Sequence, residues 1–252
     1  MFPFSRWGRK RGRFAFDHHG TNVLNCTVSY NRYGAYCVPS SSSHRPAAQK
    51  VLSGGVHEPD TINFIRANWR GGDLVQAGAY FGDFLPALSE SCDENAKIWS
   101  FEPNWENYKC AKITIELNGI ENVELHNIGL GSEESEVDLR VRFGDGSASG
   151  GASRILDSSV SEGKFERVRI RPIDKIIGDE RHLSIIQLDV EGYEMSVLSG
   201  GIKTISRCKP ILIIEVNPGS EAIESPWFKE NILGLGYSQI DVVHDNLVFS
   251  AE

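Results

Sequence analysis

From Asp73 onward, short apolar runs alternate with helical patterns, and this rhythm constrains the fold more than any other feature. Residues 74–77, Ile98–Phe101, Val123–His126, 185–188 and 211–216 are the apolar runs. Between them, residues 84–91 and 193–198 read as helices, the latter closed by Gly200-Gly201. Asn104 can N-cap a helix running to Asn118, with Tyr108, Ala111 and Ile115 on one face and Gly119 past its end. Strands that alternate with helices pair in parallel, with helices covering both faces of the sheet. The final part differs. After a helix at 227–235, runs 239–243 and 247–250 flank His244-Asp245-Asn246, which predicts an antiparallel hairpin closing an otherwise parallel sheet.

Two other segments break the rhythm. Val137, Leu139, Val141 and Phe143 alternate with Asp138, Arg140 and Arg142, and Val168 and Ile170 alternate with Arg167, Arg169 and Arg171. Strict alternation marks half-exposed antiparallel strands, so a β-hairpin is expected as an insertion. Residues 144–153 between them are rich in Gly and Ser and predict a mobile loop. Near the start, runs 27–30 and 35–38 flank Asn31-Arg32-Tyr33-Gly34, another hairpin signal. Ser40 to Ser43 and Pro46 then read as a loop, and a helix begins near Pro59 with Ile62, Ile65 and Trp69 on one face. The expected organisation is an N-terminal β/α extension over 1–57 and one α/β domain over 58–252. No internal repeat is apparent.

The net charge of −8 argues against nucleic acid as the main partner, since phosphate binding needs a basic face. Arg6, Arg9, Lys10, Arg11 and Arg13 are a local exception, read as a solvated arm or as a contact to an anionic surface. No apolar run approaches the ~20 residues of a membrane span, and the first residues lack the apolar core of a signal peptide. The five cysteines are far apart in sequence and form no CxxC pair, so neither a zinc site nor a disulfide framework is expected. Buried thiols in a reducing cytoplasm are the simplest expectation.

Three segments carry chemistry. In Gln76-Ala77-Gly78-Ala79-Tyr80-Phe81-Gly82-Asp83 a strand turns sharply into a helix. Gly78 lets a ligand approach the backbone, Gly82 permits close packing, and free N–H groups at the helix start can hold a carboxylate. Such turns occur in many α/β folds, so the segment alone decides little. In Ser100-Phe101-Glu102-Pro103, Glu102 ends the second strand, about 20 residues on, where a carboxylate accepts both hydroxyls of a ribose. In Leu188-Asp189-Val190-Glu191-Gly192-Tyr193-Glu194, an apolar strand delivers carboxylates to the rim where open α/β sheets bind ligands. Asp189 and Glu191 suit a general base, a metal site or a hydroxyl clamp. Glu194 reads rather as a helix-start acid favoured by the macrodipole.

Together these residues resemble the FkbM family of S-adenosylmethionine-dependent methyltransferases. The resemblance also rests on Asn104, Asn107-Tyr108, Asn127-Ile128-Gly129-Leu130-Gly131, Ile186-Gln187 and the strand ending Glu215-Val216, and covers roughly residues 73–217. It implies a Rossmann-like class I methyltransferase sheet and, typically, O-methylation of a saccharide or polyketide hydroxyl. By that resemblance the cofactor-binding candidates are Gln76, Gly78, Tyr80, Gly82, Asp83, Glu102, Pro103, Asn104 and Asn127. Asp189, Glu191 and His126 are the catalytic candidates. One position departs from the family: the acid usual two residues before the first glycine is Gln76 here, which carries no charge to set against the cofactor's ammonium. Asp83 can take that role.

His18-His19 form no recognisable metal set, and Trp105 and Tyr108 read as helix core. Ser147, Ser149, Ser153 and Arg154 lie where a loop can close over substrate. A metal-free base is favoured over a divalent ion held by Asp189 and Glu191, because no second acidic cluster is obvious. Two rival readings remain. A nicotinamide oxidoreductase would want a third glycine after Gly82 and a parallel last strand. A non-catalytic ligand-binding protein on the same scaffold is motivated by Gln76. The expected acceptor is a small molecule or glycan, and the oligomeric state is not legible.

Overall fold

The computed structural model describes residues 23–155, 162–216 and 222–251. The basic cluster and His18-His19 lie outside the described residues. In chain order the elements are β1 (Cys26–Asn31), β2 (Gly34–Pro39), α1 (Pro46–Leu52), α2 (Pro59–Asn68), β3 (Asp73–Ala77), α3 (Leu85–Ser89), β4 (Ile98–Phe101), α4 (Trp105–Leu117), β5 (Val123–His126) and β6 (Gly129–Leu130). There follow β7 (Ser135–Arg142), β8 (Arg154–Ile155), β9 (Lys164–Arg171), α5 (Ile173–Ile176), β10 (Leu183–Leu188), α6 (Glu194–Gly200), α7 (Ile202–Cys208), β11 (Ile211–Glu215), α8 (Pro226–Asn231), β12 (Tyr237–Val243) and β13 (Asn246–Ala251).

A seven-stranded sheet runs β12-β13-β11-β10-β3-β4-β5. Strands β5, β4, β3, β10 and β11 are parallel to their neighbours, and β13 is antiparallel to both β11 and β12. The central strands are continuous apolar runs because both faces are buried. Val75, Phe101, Ile186, Leu188, Leu212 and Ile214 pack under Val197, Leu198, Ile205 and Phe228. The alternate residues Leu74, Ile98, Ile185, Ile213 and Val248 meet Ile62, Ile65, Leu85 and Leu88 on the other side.

The inserted strands are more than a hairpin. β7 and β9 pair as expected, but short β6 and β8 complete a separate sheet of order β6-β9-β7-β8, because Gly129 and Leu130 align beside Ile170 and Arg171. The N-terminal hairpin has no core of its own: Tyr36, Cys37 and Val38 bury against Phe81 and Cys110.

Several expectations need correction. Pro46 starts a helix, because proline at N1 loses no intrahelical hydrogen bond. The segment 144–153 is packed only in its second half: residues 144–146 are exposed at a tight turn closed by Phe143 N–H to Ser147 O, whereas Ala148, Ser149 and Gly150 are buried. Trp105 is not core but 40% exposed, stacked on Tyr108. The helix expected over 227–235 breaks after Asn231, and α7 follows Gly200-Gly201 where no helix was read. Among the described residues no helix is long and apolar enough to cross a membrane.

At the sheet end remote from the site, buried Asp73 collects the Lys97 N–H at 2.9 Å, Trp99 Nε1 at 2.8 Å and a forked contact from Arg181. Asp73→Ala leaves the buried Trp99 indole N–H and the half-buried Lys97 N–H unpaired and strips Arg181 of its carboxylate, so it is expected to cost about 2–4 kcal/mol of stability. Urea denaturation measures this; a loss under about 1 kcal/mol would show that water replaces the carboxylate.

Candidate functional site

The parallel strands end at one rim, and their tips build the site. Gly78, at φ +95°, follows β3. A Cβ there would stand 2.0 Å from the Asp189 carbonyl oxygen, so only glycine fits between the tips of β3 and β10. Tyr80 then adopts a left-handed φ of 47°, which aims its N–H at Glu102 Oε2, 2.8 Å away. Glu102 Oε1 accepts from Asn104 N–H at 2.8 Å and from Asn107 Nδ2 at 3.5 Å. Burial pushes the Glu102 carboxyl up to about 8 against these three donors. Asp83 is likewise raised by burial, to about 6, with the nearby His57 opposing.

A polar cavity opens over these groups. Its walls include Gln76, Gly78, Tyr80, Asp83, Glu102, Gln187, Asp189, Glu191 and Glu215, with Arg45, His57, Glu58, His244 and Asp245 around the mouth. A smaller apolar cavity adjoins it, lined by Phe101, Pro103, Leu130, Leu139, Ile155, Val190 and Tyr193, and shares Gly78, Glu102 and Asp189 with the first. Glu102 therefore stands at the junction of a polar and an apolar chamber.

Asp189 and Glu215 stand at the ends of the adjacent strands β10 and β11 and line one cavity. Burial first, then Glu215, Glu191 and Glu58, hold Asp189 well above the usual carboxylate range. Glu191 reaches the cavity through a turn at φ 55° rather than by continuing the strand. Its carboxyl is also raised, by burial and then Glu215, while Arg154 and Arg45 oppose. Gln187 sits beside Gln76 in register; its buried Oε1 has no partner among the described residues.

Other candidates lie around the cavities rather than in them. Gly82 packs on Ala111 and Thr114 of α4. Asn104 caps α4, accepting from Glu106 and Asn107 N–H groups. Asn127 Nδ2 donates to the carbonyls of Glu102 and Pro103 at 2.9 and 3.0 Å, fixing the tip of β4. His126 stacks on Phe101 at 5.1 Å and lines neither cavity. Burial lowers its pKa. Glu194 accepts from Gly192 N–H at 2.9 Å, closing the turn before α6. A roof covers the glycine turn: Tyr80 Oη donates to Ser42 Oγ at 2.7 Å, and Gly151 lies against the Tyr80 ring. Among the described residues, no cluster of three or more His, Cys, Asp or Glu side chains is arranged to hold a metal ion.

The sequence reading did not name Glu215 or Gln187 as site residues, nor the mouth residues Arg45, His57, Glu58, His244 and Asp245. Glu215 carries the same signal as Asp189, a carboxylate ending an apolar strand. An amide within an apolar strand marks Gln187. Nothing local marks the mouth residues.

No curated protein matches the chain. Among solved structures, a methyltransferase FkbM from Methylobacillus flagellatus KT is similar at 19% identity, with a TM-score of 0.54 over 77% of this chain and 48% of that one. The chain thus spans about half the length of that protein. M. jannaschii TYW2, solved in complex with AdoMet, is similar at 10% identity, with a TM-score of 0.49 over 92% of this chain and 89% of that one. The T. thermophilus 16S rRNA N2 G1207 methyltransferase RsmC, in complex with AdoMet and guanosine, follows at 12% identity, with a TM-score of 0.45 over 92% and 51%. The sheet, with β13 inserted antiparallel, is that of class I S-adenosylmethionine-dependent methyltransferases. The methyltransferase FkbM domain matches residues 76–236, from Gln76 at the tip of β3 through Glu215 to the turn before β12. That is well over half of the sequence, and the chain belongs to the FkbM methyltransferase family.

Proposed function

We propose that the protein transfers a methyl group from S-adenosylmethionine to a hydroxyl oxygen of a saccharide or polyketide-like acceptor. The observation that carries this reading is the Asp189–Glu215 pair at the tips of β10 and β11, in one cavity with Glu102 and the Gly78 turn. The residues fit the cofactor. Gly78 lines both chambers with bare backbone, Glu102 suits a ribose, and the apolar chamber beside Pro103 and Leu130 suits an adenine. Gln187 Oε1, buried and without a partner among the described residues, suits a donor such as an ammonium or a hydroxyl. When bound, S-adenosylmethionine supplies a methyl already activated on a sulfonium.

The chain's own task is then to align the acceptor and take its proton. A hydroxyl is a poor nucleophile near neutral pH, and a positioned base contributes on the order of 10²–10⁴-fold. Asp189 in its ionised form accepts the hydroxyl proton, with Glu215 beside it in the same cavity. Glu191 at the rim is the second candidate. Glu58 and Asp245 at the mouth can accept hydrogen bonds from a hydroxyl-rich acceptor. Arg45, Glu58, His244 and Asp245 fall outside the matched family region, so acceptor choice belongs to segments particular to this chain. The five free thiols suit the cytoplasm as the place of action.

Labelled S-adenosylmethionine, offered with saccharides, polyketides and RNA, tests the proposal. Label on a sugar or polyketide oxygen is the expected result. Label on RNA refutes the acceptor, and cofactor binding with no transfer to any acceptor points to a ligand-binding protein. Glu102→Ala is expected to weaken S-adenosylmethionine by about 1–3 kcal/mol, as for the loss of a pair of buried hydrogen bonds. Calorimetric titration decides; unchanged affinity removes Glu102 from the ribose.

A further inference from the structure

The polar cavity is acidic on most of its walls. Asp83, Glu102, Asp189, Glu191 and Glu215 line it, and Glu58 and Asp245 stand at its mouth. An amino-acid tail entering this space finds ready partners for its ammonium. Its carboxylate does not, because an anion taken from water into a cavity of carboxyls needs a matching cation or donor. The sequence reading gives a ligand carboxylate to N–H groups of the glycine segment, but most of those are already bonded within the protein. Gly78 and Ala79 N–H donate to Phe101 O at 3.1 and 3.0 Å, Gly82 N–H to Ala79 O at 2.7 Å, and Tyr80 N–H to Glu102.

Cations are scarce around the cavity. His57 and His244 already stand beside acids, His57 Nε2 at 3.6 Å from Glu58 and His244 Nε2 at 3.8 Å from Asp245. Arg45 also lines the cavity, and its guanidinium has no hydrogen bond or ion pair among the described residues. Its backbone is fixed: Arg45 N–H donates to Ser42 O and Arg45 O accepts from Gln49 N–H, both at 2.9 Å. Its stem lies beside the Tyr80 hydroxyl, since a Cβ on Gly150 would stand 2.8 Å from Tyr80 Oη and 3.0 Å from Arg45 Cγ. Tyr80 belongs to the glycine turn, so Arg45 is carried over that turn. Glu58 is placed elsewhere: its Oε2 accepts from Asn246 Nδ2 at 3.1 Å, which ties it to the His244-Asp245 turn.

We infer that Arg45 holds the methionyl carboxylate of S-adenosylmethionine, an inference that rests on this being the cofactor. A guanidinium offers parallel N–H groups that match the two oxygens of a carboxylate, and it stays charged at any working pH. The tail's ammonium is left to Gln187 Oε1 and Glu215 Oε2, each buried without a partner among the described residues. Glu215 then supplies the charge that Gln76 lacks. Arg45 precedes the matched family region, so a segment particular to this chain completes the cofactor site, and acceptor choice falls to Glu58, His244 and Asp245.

Calorimetric titration of the full chain with S-adenosylhomocysteine and with its decarboxylated analogue tests this. The analogue keeps the adenosine, the sulfur and the ammonium and lacks only the carboxylate. The native chain is expected to bind S-adenosylhomocysteine at least about 10-fold more tightly than the analogue. In Arg45→Ala, S-adenosylhomocysteine weakens by at least about 10-fold, whereas the cationic analogue binds no worse, since a like charge has left its surroundings. Arg45→Lys keeps the charge without the fork and falls between. Circular dichroism checks the fold of each variant. An Arg45→Ala chain with native affinity for S-adenosylhomocysteine overturns the inference and turns Arg45 toward the acceptor. Equal losses for both ligands overturn it too, because they mark a residue that only supports the roof. A native chain that prefers the analogue overturns it without any variant. A native chain that binds neither ligand refutes the cofactor itself.

Discussion

Gly78→Val removes measurable S-adenosylmethionine binding. The added Cβ stands 2.0 Å from the carbonyl oxygen of Asp189 and 3.1 Å from its carbon, both main-chain atoms. They cannot yield cheaply, because Asp189 N–H is bonded to Ala77 O at 3.0 Å and Gly78 N–H to Phe101 O at 3.1 Å. The φ of +95° is itself unfavourable for a side chain, and most so for a β-branched one. The clash and the strained backbone together are expected to cost about 2–5 kcal/mol of stability. Relief comes only by parting the tips of β3 and β10, which moves the cavity wall. Gly78→Ala meets the same clash with the smallest possible side chain and is expected to lose most binding while still folding. Calorimetric titration with circular dichroism separates the two effects. A folded Gly78→Ala chain with native affinity would place the ligand elsewhere.

Asp189→Asn is expected to lower turnover by about 10²-fold or more while cofactor affinity changes little. The amide keeps the side chain's shape and removes its basicity, which is the loss expected of a general base. The pH profile carries a second signature. The Asp189 carboxyl is raised by burial and by Glu215, and the base works only when Asp189 is ionised. Activity therefore rises with pH through the titration of Asp189, from a point well above the usual carboxylate range. A cation in the cavity favours ionised Asp189, so the rise in kcat falls at lower pH than the rise in kcat/KM for S-adenosylmethionine. Both limbs are expected to vanish in Asp189→Asn. A fully active variant, or one that keeps the native profile, would transfer the base's role to Glu191.

Much of this site is legible locally, because a carboxylate ending a buried strand is chemically out of place unless it faces the rim. Glu102 and Asp189 are visible for that reason. Glu215 has the same signature, but its meaning depends on β11 lying beside β10, a pairing that no local pattern states. Arg45 and His244 sit on turns with no motif, and only tertiary packing brings them to the cavity. Proline and serine around residue 46 suit both a loop and a helix start, and burial of Ala47, Ala48 and Val51 decides for the helix. The Gly/Ser stretch 144–153 is ordered for a reason composition hides. Gly150 at φ +57° tucks its Cα beneath Tyr80 and Ser42, where any Cβ would clash at 2.8 Å. His126 fits the pattern of a strand-end residue, yet it stacks on Phe101 and lines neither cavity.

The placement of β13 between β11 and β12 bears on how the protein is made. Synthesis delivers β13 after every other strand of the sheet, although its position is internal. Until residues 246–251 emerge from the ribosome, β11 presents a bare apolar edge and β12 has no strand to join. At about 5–20 residues per second, that edge waits roughly 2–7 s between completion of β11 and completion of β13. An open edge of this kind recruits foreign strands. A ribosome that stalls in this interval leaves a nearly complete sheet in its most adhesive form, one that a holding chaperone would recognise.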